Sequence, residues 1–258
     1  MVKIFSNLII NGLLFGLVNL NVFADSNNVT ILKSQSNVLE QPNEKDDKKL
    51  DQKDQVNQAL DTINKVTEDV SNKLEEIRES SLELVESNDA SVVKKFVGSM
   101  PLITDVAKGT VVVSQEATIV AKFSGGLAVE DANRVVEVSK KAVQETQKAV
   151  SIAGEATFLI EKQIMSNKSP NNKELELTKE EFTKVEQVKE TLMASERALD
   201  ETVQEAQKVL NKVNSLNPSN KDQAAAKKDV TKAITNVVKV AQGARDLAKV
   251  ITISLSMK

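Results

Sequence analysis

The residues of this chain that could do chemistry are chiefly carboxylate pairs: Glu75-Glu76, Glu180-Glu181 and Asp200-Glu201. Two carboxylates can share general acid and base work, or bridge metal ions, when both converge on one point. Adjacent helix positions point about 100° apart, so these pairs do not converge. A carboxylate-bridged di-metal bundle also needs Glu-x-x-His, and none of the 258 residues is histidine. Cysteine is absent as well. Imidazole bases, thiol nucleophiles and most zinc, copper and haem ligation go with those two residue types. Gly125-Gly126 lacks the strand, Lys and Ser/Thr of a phosphate loop and reads as a turn between helices. Lys94-Lys95, Lys140-Lys141 and Lys227-Lys228 could touch anionic lipid or glycan, but no aromatic residues interleave with them. They read as solvated helix faces. No catalytic, cofactor-binding or metal-ligating residue is nominated. No cofactor or small-molecule substrate is implied, and the chain is not expected to be an enzyme.

The elements that would position any site are helices. Val56, Leu60, Ile63, Thr67, Val70, Leu74, Ile77, Ser81 and Leu84 alternate by four and three, with charged residues on the other faces. That is a coiled-coil or bundle seam. Asn88-Asp89 offers a stop and a new N-cap, and a short helix with Val92, Val93, Phe96 and Val97 follows. It should break or kink before Pro101, with Ser99 and Pro101 opening the next helix. A helical hairpin then spans 110–164. Its first arm runs to about Phe123, Gly125-Gly126 turns it, and its second arm reaches about Met165. On that second arm Ala142, Thr146, Ala149, Ala153, Ala156 and Ile160 share one face. After the turn at 167–172, Thr178 and Glu181 form a capping box for a helix whose seam runs from Val185 to Val213. Ser219 and Asp222 read as the cap pair of the last helix, with its seam from Ala226 to Ile251. The last two long helices are oppositely charged, −4 over 174–214 and +4 over 222–258, and the short turn between them makes them antiparallel neighbours. Helices of this length would be about 45–60 Å long at 1.5 Å per residue. The expected fold is all-α: an elongated up-and-down bundle of about five helices with coiled-coil-like seams and a thin Val/Ala core.

Composition bounds where such a bundle works. Met1 to Ala24 has a basic start at Lys3, an interrupted apolar run and Val22-Phe23-Ala24 at its end, the pattern of a cleaved secretory signal peptide. Residues 25–55 are dominated by Asn, Gln, Ser, Asp and Lys and read as a disordered polar leader. The bundle domain then spans 56–258. Lys3 is the only charge lost with the signal, which leaves 33 basic against 37 acidic residues. A net charge of −4 argues against nucleic acid as a partner. Without cysteine, an exported chain has neither a disulfide framework nor a thiol for N-terminal lipid, so it is not expected to be a lipoprotein.

The apolar hairpin raises the question of a membrane. Glu116, Lys122 and Glu130-Asp131 cut its uncharged runs well short of the roughly 20 apolar residues a spanning helix needs. A β-barrel would need alternating strands and aromatic girdles, whereas the chain has no Trp, no Tyr and sustained helical periodicity, so it is not expected to be a barrel. The hairpin is expected instead at the buried centre of the bundle.

One resemblance covers essentially the whole chain. It is carried by Lys3 to Gly12, by Gln52 to Asp61, by Glu155 to Gln163 and by Ala241 to Leu247. Through these stretches the chain resembles the 28-kDa outer-membrane protein family of Lyme-disease spirochaetes (Borrelia), which carries the label porin. The family offers no catalytic or ligand motif to carry over. The resemblance implies export and association with the outer membrane, while the label implies a channel. Such a channel would require amphipathic helices of several copies around water, each with a lipid-facing surface beyond its bundle seam. One apolar seam per helix is present. The leading expectation is therefore a non-enzymatic periplasmic helical protein, peripherally associated with the outer membrane or an envelope protein, with a structural or interaction role and a possible homo-oligomer. A pore formed by oligomerised helices and a surface adhesin for a host ligand are the alternatives.

Overall fold

The computed structural model describes residues 52–256 apart from Asn88 and Pro170. The expected signal peptide, the leader up to Asp51, the Asn88 half of the first stop signal and Lys258 lie outside them. Seven α-helices follow one another: α1 (Gln52–Glu86), α2 (Ala90–Gly98), α3 (Leu102–Phe123), α4 (Val129–Glu155), α5 (Thr157–Lys168), α6 (Lys179–Ser215) and α7 (Lys221–Ser256). A single 3-10 turn, Lys173–Leu175, separates α5 from α6. No strand occurs among the described residues. Helices α2 and α3 form one kinked rod, as do α4 and α5, so the fold is the expected all-α bundle of five rods.

Each kink has a local cause. Between α2 and α3 the Leu102, Ile103 and Thr104 amides donate to Ser99, Met100 and Pro101 three residues back, at 3.0, 3.1 and 3.0 Å. The chain turns tightly there around Pro101, which has no amide to continue the ladder. Ser99 does not cap α3 as the sequence suggested. Its hydroxyl turns back to the Phe96 carbonyl at 2.7 Å, and Pro101 begins α3 without a side-chain cap. The second arm of the hairpin is likewise broken at Ala156, whose φ of −107° departs from helix, with the Thr157 hydroxyl donating to the Gly154 carbonyl at 2.9 Å. The apolar face nonetheless runs on through the break, since Ala153, Ala156 and Ile160 are all buried.

The other caps divide in the same way. Asp89 accepts the Ser91 amide at 2.8 Å, and Thr178 and Glu181 form the expected box, at 3.2 and 2.8 Å. At α7 the cap sits one residue on from Ser219 and Asp222. Asn220 accepts the Gln223 amide at 2.9 Å, while Gln223 reaches back to Ser219 at 2.8 Å. The longer amide side chain at 223 spans a gap that Asp222 does not.

The rods run alternately up and down. Helices α3, α4, α6 and α7 close a ring in which each packs on the next, and α1 lies outside it in the groove between α3 and α7. The centre is therefore the α3–α7 pair, each helix flanked by three rods, and not the α3–α4 hairpin. Burial makes the same point: fifteen of the 36 residues of α7 are buried, against eight of the 27 in α4. The second arm is an outer rod with a narrow inner face, on which Val135 and Val136 are the one adjacent pair buried.

One further expectation needs correction. The α2–α3 rod, Ala90–Phe123, is long and apolar enough to cross a membrane by length and composition, with 56% of its most apolar window buried. Counting uninterrupted apolar runs missed it, because a span tolerates one or two charges. The last two long helices, α6 and α7, are antiparallel neighbours as expected, yet their opposed charges give few direct pairs. Arg245 reaches Asp200 at 3.0 Å, but the wider set of ion pairs on α6 goes to α4: Arg134–Glu205 at 3.4 Å, Lys141–Glu201 at 3.3 Å, and Lys212–Asp131. Position on the helix, not net charge, decides which neighbour a side chain meets.

Candidate interaction surface

Among the described residues, no group of three or more metal-ligating side chains comes together. The carboxylate pairs separate as their spacing requires. Glu181 caps α6 and meets Lys162, Asp200 meets Arg245, and Glu201 meets Lys141. The lysine pairs behave as solvated faces, with Lys95 on Glu83 at 2.8 Å and Lys140 on Glu137 at 2.8 Å. Lys227 instead closes the α6–α7 turn on the Asn214 and Leu216 carbonyls, at 2.7 and 2.8 Å.

The feature that stands out is the upper end of the bundle, where α1, α5 and α7 finish and α2 and α6 begin. Lys168, at the end of α5, donates from its ammonium to the Leu84 and Ser87 carbonyls, capping α1 from another rod. Burial lowers its pKa, yet the cation is well placed at a helix C-terminus. Beside it, α2, α5 and the 3-10 turn enclose an open cleft of about 280 Å³, with Val93 at its floor and Phe158, Met165 and Leu175 on its walls. Lys162 borders this cleft and holds Glu181 at 3.0 Å. The Thr178 amide, followed by Lys162, lowers the Glu181 pKa. The cleft offers an apolar wall with charges already paired at its rim. It has no convergent polar groups to orient a small substrate.

Three phenylalanines lie on the rods that meet here, on α2, α5 and α6. Phe96 is buried, but Phe158 is 70% exposed and Phe182, in the first turn of α6, is 44% exposed. Sequence reasoning passed over both, although the signal was present. Phe158 stands two residues from Ala156 and from Ile160, which places it on the side of the helix opposite the seam.

No curated protein and no solved structure matches the chain. A family model does, over residues 3–256, nearly the entire length. The chain belongs to the OMS28 porin family.

Proposed function

We propose that this protein is a non-enzymatic helical component of the bacterial envelope, exported to the periplasm and attached peripherally to the outer membrane, where it serves a structural or interaction role. The family is an outer-membrane one. What supports peripheral attachment is the use of the apolar stripes. Val56 to Leu84 on α1, Ile103 to Val120 on α3, Val185 to Val213 on α6 and Val230 to Ile251 on α7 all face inward and are buried. Little apolar surface is left on the flanks of the rods to face lipid chains.

The family label favours a second reading, a pore assembled from several copies, and one observation gives it substance. The α2–α3 rod has the length and composition of a membrane span, so a rearranged bundle could offer it to lipid. Carbonate extraction of outer-membrane vesicles, with protease treatment of intact cells, separates the readings. Release by carbonate with protection from protease is expected for the peripheral protein. Retention in the membrane together with conductance of the purified protein in planar bilayers would favour the pore and overturn the first reading.

A further inference from the structure

We infer that the lower half of the face shared by α1 and α7 binds a second copy of this chain, forming a parallel two-fold dimer. Lys221, Lys228, Lys232 and Lys239 recur at steps of seven, four and seven, which stacks them in one column on the outer side of α7. The first three are exposed and Lys239 is half-buried. On α1, Asp54, Asp61 and Glu68 recur at steps of seven and are exposed. None of these seven side chains makes an ion pair among the described residues. Lys65 is the one cation beside the acidic column, and Asp222 and Asp229 lie about a quarter-turn off the basic one.

Both columns lie on the same side of the bundle. Lys239 is one turn from Gly243, which packs against Leu74, so the lysines run along the edge of the α1–α7 contact. Val66 of α1 faces α3, since a methyl group at Gly109 would lie 3.4 Å from its Cγ1. Glu68, two residues on, therefore points away from α3, outward beside α7. The same contacts set the relative height. Leu74 meets Gly243, and Val70 and Val240 both flank Gly109, so α7 residues are numbered about 170 ahead of the α1 residues level with them. Glu68 is then level with Lys239, Asp61 with Lys232, and Asp54 lies between Lys221 and Lys228. Lys65 is level with Asn236 and opposes no lysine.

Within one molecule the two columns stand side by side. A two-fold axis parallel to the rods would set each acidic column opposite the lysines of the second copy at unchanged height, and every pair would form twice. A two-fold axis across the rods would set acid against acid. Charge therefore selects the parallel dimer. A lysine column alone would suit any anionic surface, but the acidic column level with it is matched only by a second copy. Above Leu74 the matching ends, because Glu75 already holds Arg78 and Asp246 holds Arg245, each at 2.9 Å. The charged face covers roughly 600 Å² on each copy, from about 18 residues of rise across two helices each about 10 Å wide. That falls short of the about 800 Å² a stable interface uses, so the dimer is a weak, reversible one that salt screens.

Sedimentation of the purified full chain tests this. A concentration-dependent dimer is expected at about 50 mM salt, weakened more than tenfold at about 1 M. K232E/K239E and D61K/E68K should each be monomeric alone, yet a one-to-one mixture should dimerise, since one chain is then acidic on both columns and the other basic. Unchanged melting curves should show that both variants fold. With a donor or acceptor dye on S256C, the parallel dimer should transfer energy efficiently, whereas an antiparallel one would hold the dyes about 70 Å apart. A wild type that stays monomeric, a dimer indifferent to salt and to both variants, a mixture that fails to associate, or absent energy transfer would each overturn the inference. So would a monomer whose lysine column binds anionic vesicles instead. The inference goes beyond both readings of function, because carbonate extraction decides between those without reference to this face.

Discussion

Helices α1 and α4 both lie in a groove between two rods, α1 between α3 and α7 and α4 between α3 and α6, but the grooves differ in chemistry. In the first, the inserting helix carries the bulk and the receiving helices provide the space. Ile63, Val70, Leu74 and Ile77 of α1 are buried, and opposite them stand Gly109 and Gly243. A methyl group added at Gly243 would lie 2.6 Å from Leu74 Cδ1, and one at Gly109 would lie 2.9 Å from Val70 Cγ2. In the second groove the inserting helix is mostly small: apart from Val135 and Val136, its inner face is lined by Ala132, Ser139, Ala142, Thr146, Ala149 and Ala153. Hydroxyls meet across it, Ser114 with Ser139 at 3.1 Å and Thr146 with Ser195 at 2.7 Å. One groove rests on apolar volume, the other on close approach and paired hydroxyls. Their responses to mutation should differ accordingly.

The largest effect belongs to the α1 groove. Leu74→Ala is expected to cost about 2–5 kcal/mol in urea unfolding, the transfer loss plus the cavity it leaves. Gly243→Ala should cost less. Overpacking against Leu74 at about 1–3 kcal/mol is partly offset by the roughly 1 kcal/mol that alanine gains over glycine within a helix. Combined, the two changes should cost less than their sum, since the new methyl enters the vacated space. A double variant as unstable as the sum would mean that Gly243 is not the notch for Leu74.

The α4 groove gives the contrasting test. Thr146→Val keeps the shape but deprives the fully buried Ser195 of its 2.7 Å partner, an expected loss of about 1–2 kcal/mol. Adding Ser195→Ala removes the stranded hydroxyl and should recover most of that loss, because an apolar pair of similar shape is close to neutral. If the double variant is worse than the single one, the groove depends on its hydroxyls for more than mutual satisfaction.

The two grooves also differ in how much of them could be read from sequence. The seam of α1 was legible because large residues at four-three spacing leave no other use: Val56, Ile63, Val70, Leu74, Ile77 and Leu84 are all buried as expected. The face of α4 was legible as a face, through Ala142, Thr146 and Ala149, but not in its rank. Its alanines suggest the centre of the bundle, whereas small residues mark close approach and do not say how many neighbours a helix has. Nothing in the local pattern revealed that Gly109 and Gly243 are notches, since a helical glycine acquires that role only when another rod arrives. The upper end suffered from the same limit. Phe158 sits on the outer face by simple helical counting, but the cleft beside it depends on how α2, α5 and the 3-10 turn come together, which is tertiary information.

Glu116 gives the smallest effect and the finest probe of how dry the α1 groove is. It lies seven residues from Gly109, two turns along the same face of α3. It is half-buried and, among the described residues, makes no ion pair. Burial raises its pKa above the ordinary 4.5. In the folded protein it therefore holds its proton to higher pH than in the unfolded chain, so stability falls as pH rises through the folded value. The favourable contribution is complete below the unfolded pKa and gone at neutral pH, where the carboxylate is a burden on the fold. Glu116→Gln should accordingly raise the thermal midpoint slightly at pH 7 and leave it unchanged near pH 3, where both chains carry a neutral side chain. A variant less stable than wild type at pH 7 would mean that a partner holds the carboxylate in its charged form. The edge of the α1 groove would then be polar, and the contrast with the hydroxyl-lined groove of α4 would narrow.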